Sequence, residues 1–154
     1  MIEVRREPPD GLAARALWDE YMALTHERLG DDFRPTEAIF GSTEDLDAWL
    51  VVYEDGAPVA CGGLRELEPA TAEIKRMFVT AGARGRGHGR RLLDELEAVA
   101  AAAGHRRIRL LTTEALVEAR ALYSSAGYVV VSTFRIEGRT DYWLEKCIAP
   151  ASVS

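Results

Sequence analysis

The chain reads as an α/β protein: a single domain with one mixed central β-sheet flanked by helices. Three observations predict this. Its 154 residues fit the length of one domain, roughly 100–200 residues. Segments with the period of a strand and of a helix alternate along it in the order β-α-(α)-β-β-β-α-β-α-β-β. A composition of 47% hydrophobic, 29% charged and 8% aromatic residues belongs to a folded, water-soluble chain. At this length about 68–70% of the unfolded surface is buried on folding, so the core needs neither a disulfide nor a metal.

Residues 2–6 alternate as a short strand, which Pro8, Pro9, Asp10 and Gly11 break. Asp10 is placed to cap the next helix, where Leu12, Ala16, Leu17, Tyr21 and Leu24 recur at helical spacing until Gly30. Over residues 31–46 the signal weakens, and Phe33, Pro35, Ile39, Phe40 and Gly41 suggest a short helix or a loop. Residues 49–53 are β-rich, Asp55-Gly56 is a hairpin turn signal, and 58–64 resume a strand. After a turn near Glu68 and Pro69, residues 72–80 form the third long strand of a meander. A glycine and arginine loop at 82–89 leads into a helix with Leu92, Leu93, Leu96, Val99, Ala100 and Ala103 on one face, ended by Gly104. Residues 107–113 are a strand and 117–126 a helix closed at Gly127; 128–136 and 142–148 pair antiparallel about Glu137-Gly138. One domain therefore occupies residues 1–148, and 149–154 are a short C-terminal tail.

Charge and composition exclude several classes. A net charge of −6 and a pI near 5.1 give no overall attraction to nucleic acid or to an anionic membrane, leaving only a local basic patch to bind an anion. The longest apolar runs, 48–53 and 98–103, fall far short of the ~18 residues of a spanning helix. Glu3, Glu7, Pro8, Pro9 and Asp10 stand where a signal peptide needs apolar residues, so the expected location is cytoplasmic. Cys61 and Cys147 form no C-x-x-C pair and are expected as buried thiols. His26, His88 and His105 lack metal-ligand spacing, so no metal is expected.

The chemistry is concentrated in the strand Glu73-Ile74-Lys75-Arg76-Met77-Phe78-Val79, the loop Arg84-Gly85-Arg86-Gly87-His88-Gly89 and the helix beginning there. Alternate glycines let the backbone turn tightly and present N–H groups, and the new helix adds its partial positive charge. Arg84, Arg86, Arg90 and Arg91 concentrate cations at that spot. Together they describe a pyrophosphate cradle. It is not a Walker A loop, because His88-Gly89 follows Gly82-x-x-x-x-Gly87 where Lys and Ser or Thr are required. Nor is it a dinucleotide fingerprint, because Gly85-x-Gly87-x-Gly89 has the wrong spacing and follows a meander.

Arg84-x-x-Gly87-x-Gly89, the preceding strand, and Leu122-Tyr123-Ser124-Ser125-Ala126-Gly127-Tyr128 together resemble the GNAT superfamily of N-acetyltransferases, over roughly residues 48–148. The resemblance implies that acetyl-CoA is the cosubstrate. Met77, Phe78 and Val79 would hydrogen-bond its pantetheine arm like an added strand, and Arg84, Gly85, Arg86, Gly87, His88 and Gly89 would take the pyrophosphate. It also implies a strand pair splayed between Glu73 and Arg107 to admit the thioester, with Tyr123 facing the sulfur as general acid. Leu116 stands where the family often has an Asn, seven residues before that Tyr.

Acyl transfer to an amine needs a neutral amine, a place for the oxyanion and a proton for the leaving thiolate. Glu73, directly or through water, is the candidate proton acceptor, a backbone N–H near Phe78 or Val79 the oxyanion donor, and Tyr123 the proton donor. Lys75 and Arg76 alternate, so one should face the acceptor cleft and the other solvent; His88 is expected to expose its side chain. Arg106, Arg107 and Arg109 either assist the nucleotide phosphate or form a solvated strand end. The acceptor cleft implied by the resemblance offers Glu27, Asp31, Asp32, Phe33 and Arg34 on one side and Tyr142 and Trp143 on the other. The expected acceptor is a small-molecule amine or amino acid. The alternatives are a protein lysine or N-terminus, and a non-catalytic acyl-CoA-binding domain. The state expected is monomer or homodimer, with the terminal strands available for pairing.

Overall fold

The computed structural model describes residues 1–30, 45–136 and 138–149. The 31–44 part of the weak segment, with Asp31, Asp32, Phe33 and Arg34, lies outside the described residues, as do Glu137 and residues 150–154 of the tail. The elements run β1 (Ile2–Arg6), α1 (Leu12–Leu29), β2 (Ala48–Glu54), β3 (Ala57–Glu68), β4 (Thr71–Val79), α2 (His88–Ala102), β5 (Arg107–Thr113), α3 (Val117–Ser125), β6 (Val129–Ile136) and β7 (Arg139–Cys147). A 3₁₀ turn at Ala81–Ala83 separates β4 from the loop before α2.

All seven strands join one mixed sheet of order β1-β2-β3-β4-β5-β7-β6. β1 to β4 are an antiparallel meander, β5 lies parallel to β4 after the α2 crossover, and β7 and β6 return antiparallel. Because helices cover both faces, β2 is buried along nearly its whole length: Trp49, Val51 and Tyr53 join the core under α1, while Leu50 and Val52 join the core under α2 and α3. Helix α2 contributes Leu92, Leu93, Leu96 and Ala100, all fully buried at helical spacing. Truncating Leu96 to Ala there would cost about 2–5 kcal/mol. At the far edge, Val129, Val130 and Val131 of β6 are exposed.

Three local expectations change. Asp10 does not cap α1; the cap position is Gly11, whose carbonyl accepts from Arg15 N–H, and Asp10 falls one residue too early, in the preceding turn. β7 starts at Arg139 rather than at residue 142, because a buried Arg139–Asp141 ion pair at 3.2 Å lets polar residues occupy the strand start. Cys61 is a buried thiol whose pKa burial pushes up to about 12, but Cys147, the last residue of β7, is exposed.

The feature that positions the site lies in β4. It pairs with β5 from Thr71 opposite Arg107 to Ile74 opposite Leu110, and there the pairing stops. On its other side Gly63 opposes Lys75 and Cys61 opposes Phe78, so Arg76 and Met77 together face the single residue Gly62. Arg76 takes a left-handed φ of +55° at this bulge. An extra residue on one strand bends it, and the outer half of β4 follows β3 away from β5.

Candidate active site

Beside the splay lies a cleft of about 370 Å³, bounded by the outer half of β4, the loop after it, the N-terminus of α2 and helix α3. Of the residues expected to hold the cosubstrate, Met77, Phe78, Val79, Arg84, Gly85, Gly87, His88 and Gly89 line this cleft, and Tyr123 lines its inner end. Gly85 and Gly87 hold φ of +82° and +84°, which turns the chain into α2. Gly87 is the N-cap and supplies no side-chain acceptor, so the first N–H groups of a fifteen-residue helix are left for an anion. A Cβ on Gly89 would come within 2.7 Å of Leu122 Cδ2, so the missing side chain lets α2 and α3 approach closely.

Electrostatics at the mouth involve residues that the sequence did not single out. Arg28 of α1 donates to both Glu118 carboxylate oxygens, at 2.6 and 2.7 Å, and to the Ala115 carbonyl at 3.2 Å. Arg84 stands 3.7 Å from the same carboxylate. Hydrogen bonding from Arg28, with the N–H at the start of α3, pulls the Glu118 pKa down to about 2. Arg86 does not line the cleft: it donates to Glu54 at 2.6 Å and to the Gly82 carbonyl at 3.2 Å. His88, expected at the surface, is 3% exposed with Nε2 3.3 Å from Glu54. As the first residue of α2 it tucks its ring back toward the end of β2.

Tyr123 is 5% exposed and packs edge-on against Tyr128 at 5.9 Å between ring centres. Burial raises its pKa, so the phenol stays protonated through the neutral and mildly alkaline range and can donate. It also lines a small hollow of about 20 Å³ inside the splay, with Tyr21, Arg76, Met77, Leu110 and Leu116. Leu116, at the position of the missing Asn, gives the cleft an apolar surface.

Glu73 sits in the paired half of β4, 1% exposed, accepting from Arg65 Nε at 2.7 Å with Lys75 Nζ at 3.5 Å. It is not among the residues lining the cleft or the hollow at the splay. Neither Lys75 nor Arg76 faces solvent. Lys75 is buried beside Glu73, its pKa lowered chiefly by burial, and Arg76 lies half-buried across the Trp18 ring at 4.1 Å. Arg107 and Arg109 both pair with Glu145 of β7, at 3.0 and 2.9 Å, which makes them sheet ion pairs. On the acceptor side, Glu27 is exposed on α1, Arg120 covers the Tyr142 ring at 4.4 Å, and Trp143 packs partly buried against the core under α1. Among the described residues no group of three His, Cys, Asp or Glu side chains could hold a metal, and no helix is long and apolar enough to cross a membrane.

The residues present fit acetyl-CoA: an uncapped helix N-terminus beside Arg84 suits a pyrophosphate, and a largely apolar channel runs from there to a protonated phenol. Comparison with known proteins agrees. A family model described as "Acetyltransferase (GNAT) family" matches residues 13–128. A mycothiol acetyltransferase from Beutenbergia cavernae is 40% identical over 85 residues, covering 54% of this chain and 29% of that protein. An IAA acetyltransferase from Azospirillum brasilense is 40% identical over 81 residues, covering 52% of this chain and 53% of its own. The chain's match thus spans about half or less of the length of these curated relatives. The solved structure of an IAA acetyltransferase from Bacillus cereus has the same fold, with a TM-score of 0.73 at 18% identity over 96% of this chain and 100% of that one.

Proposed function

Since the chain belongs to the GNAT family of acetyltransferases, we propose that it transfers an acetyl group from acetyl-CoA to the primary amine of a small molecule, by direct attack in a ternary complex. The proposed setting is the cytoplasm. One observation carries the reading: a single cleft joins the uncapped N-terminus of α2 to the Tyr123 phenol, along the strand that has parted from its neighbour.

Bound acetyl-CoA supplies the activated acyl thioester. The backbone of Met77, Phe78 and Val79, turned away from β5, is assigned to its pantetheine arm. The N–H groups opening α2 and the Arg84 guanidinium are assigned to the pyrophosphate, with Arg84 leaving Glu118 for the phosphate. A backbone N–H near Phe78 or Val79 faces the developing oxyanion. The Tyr123 hydroxyl, kept protonated by burial, is assigned to hydrogen-bond the departing sulfur and to serve as its proton donor. Glu73 is assigned as proton acceptor through water rather than by direct contact, because its carboxylate is enclosed and held by Arg65 and Lys75.

Free-thiol release from acetyl-CoA across a broad amine library tests the reading. Turnover with a small amine is the expected result. Tight acetyl-CoA binding with no thiol release on any amine would overturn it in favour of a non-catalytic acyl-CoA-binding domain.

A further inference from the structure

At the mouth of the cleft, three separate elements meet on one carboxylate. Glu118, in the first turn of α3, accepts on both oxygens from Arg28, in the last turn of α1, at 2.6 and 2.7 Å. Arg28 is also held by the Ala115 carbonyl ahead of α3, at 3.2 Å. Arg84, in the loop before α2, stands 3.7 Å from Glu118 Oε1. Glu118 and Arg84 both line the cleft. An acidic residue in the first turn suits any helix. Helix stability does not explain why this one faces a cleft assigned to a pyrophosphate.

The two arginines hold the carboxylate unequally. Arg28 makes a pair of charge-assisted hydrogen bonds, a strong and directional arrangement for a guanidinium. At 3.7 Å the Arg84 contact is an ion pair beyond hydrogen-bond length, so breaking it sacrifices no hydrogen bond. Arg84 is therefore the member able to exchange. When it does, Glu118 keeps the Arg28 charge, and no carboxylate is stranded beside the incoming phosphates.

Resting on the acetyl-transfer reading above, we propose that Glu118 stands in for the pyrophosphate: it holds Arg84 at the mouth in the ligand-free protein, yields it when acetyl-CoA enters, and reclaims it as product CoA leaves. Glu118 is thus a positioning residue that acts through Arg84. Arg28 sets how strongly it competes, because a carboxylate more fully occupied by Arg28 draws less on Arg84.

The two partners of this ion pair should then have opposite effects on cosubstrate binding. Glu118→Gln removes the competitor and should tighten CoA and acetyl-CoA at least threefold by calorimetry, with slower CoA dissociation by surface plasmon resonance. Arg28→Gln leaves the carboxylate to Arg84 and should weaken both at least threefold. If Arg28→Gln does not fold, Arg28→Lys releases one carboxylate oxygen to Arg84 and should shift affinity the same way. In the Arg84→Gln protein the effect of Glu118→Gln should largely vanish. A strap that only tied α1 to α3 would be broken by either substitution, with one sign. Weaker binding in both variants, or opposite shifts that persist undiminished without Arg84, would overturn the proposal. If Arg84→Gln binds too weakly to measure, the Arg28→Gln/Glu118→Gln double variant decides: it should match Glu118→Gln alone, and additive shifts would overturn the exchange. A wild-type chain that binds neither CoA nor acetyl-CoA would overturn the acetyl-transfer reading and this proposal with it, an outcome evident before any variant is made.

Discussion

Replacing Gly87 separates what the loop needs to fold from what it needs to bind. Gly87 has φ +84° and ψ +9°, and a Cβ built on it meets no heavy atom within 4 Å. Steric conflict with the turn itself is therefore absent, and the cost to the protein alone is the left-handed backbone, about 1–2 kcal/mol for alanine. At about 2–4 °C of Tm per kcal/mol for a domain of this size, Gly87→Ala should melt about 2–8 °C lower. Gly87→Asn should lose less, since asparagine visits that region more readily. Valine adds a branched side chain in the wall of the cleft at the helix N-terminus, where the pyrophosphate is assigned. Gly87→Val should weaken acetyl-CoA binding at least tenfold, about 1.4 kcal/mol. Differential scanning fluorimetry and isothermal calorimetry on the three variants measure the two costs independently. A folded Gly87→Val protein with wild-type affinity would refute the cradle.

Tyr123→Phe keeps the ring and its packing on Tyr128, so Tm and acetyl-CoA affinity should hold while kcat falls roughly 10²-fold; an unchanged kcat would make Tyr123 a core residue. Because its pKa is raised, Tyr123 should contribute no alkaline limb to the pH–rate profile near the ordinary tyrosine value of about 10. Glu73→Gln leaves the Lys75 cation buried without its carboxylate, costing about 3–5 kcal/mol in urea titration, and adding Lys75→Met should restore most of it. In the same variant kcat/KM should fall at neutral pH and partly recover toward the amine's pKa; a uniform loss would make Glu73 a positioning residue, and no loss would move the role to Glu114. Glu118 has a folded pKa near 2 against an ordinary 4.5, so its pairing stabilises fully above about pH 4.5 and is lost as pH falls toward 2. With the carboxylate about half exposed, that contribution is about 1 kcal/mol, and Glu118→Gln should flatten this acid limb in unfolding titrations.

The cleft proposed for the cosubstrate was legible in sequence because its lining is local: Met77 to Val79, the Arg84 to Gly89 loop apart from Arg86, and the start of α2 lie close together in the chain, and their spacing carries their geometry. The mouth of that cleft was not. Arg28 and Glu118 meet across ninety residues, and Tyr21, which reads in sequence only as one apolar position of α1, lines both the cleft and the small hollow at the splay. Alternation failed at Lys75 and Arg76 for a physical reason: the bulge inserts a residue, and no rule of period two survives that. His88 was misjudged because a loop residue by sequence is a helix residue by structure, with Glu54 waiting behind it.

The parting of β4 from β5 also has a thermodynamic side. A seven-stranded sheet has two edges, but this one opens a further pair inside itself beyond Ile74 and Leu110. Interior edges of this kind are a liability in a protein without ligand, since bare strands invite wrong partners. A molecule that lies along them closes the gap, and its concentration then enters the folding equilibrium: at a hundredfold excess over Kd it adds about 2.7 kcal/mol to the stability of the native state. For this fold the cosubstrate would thus be a structural component as well as a reactant, and the population of intact protein would track its supply.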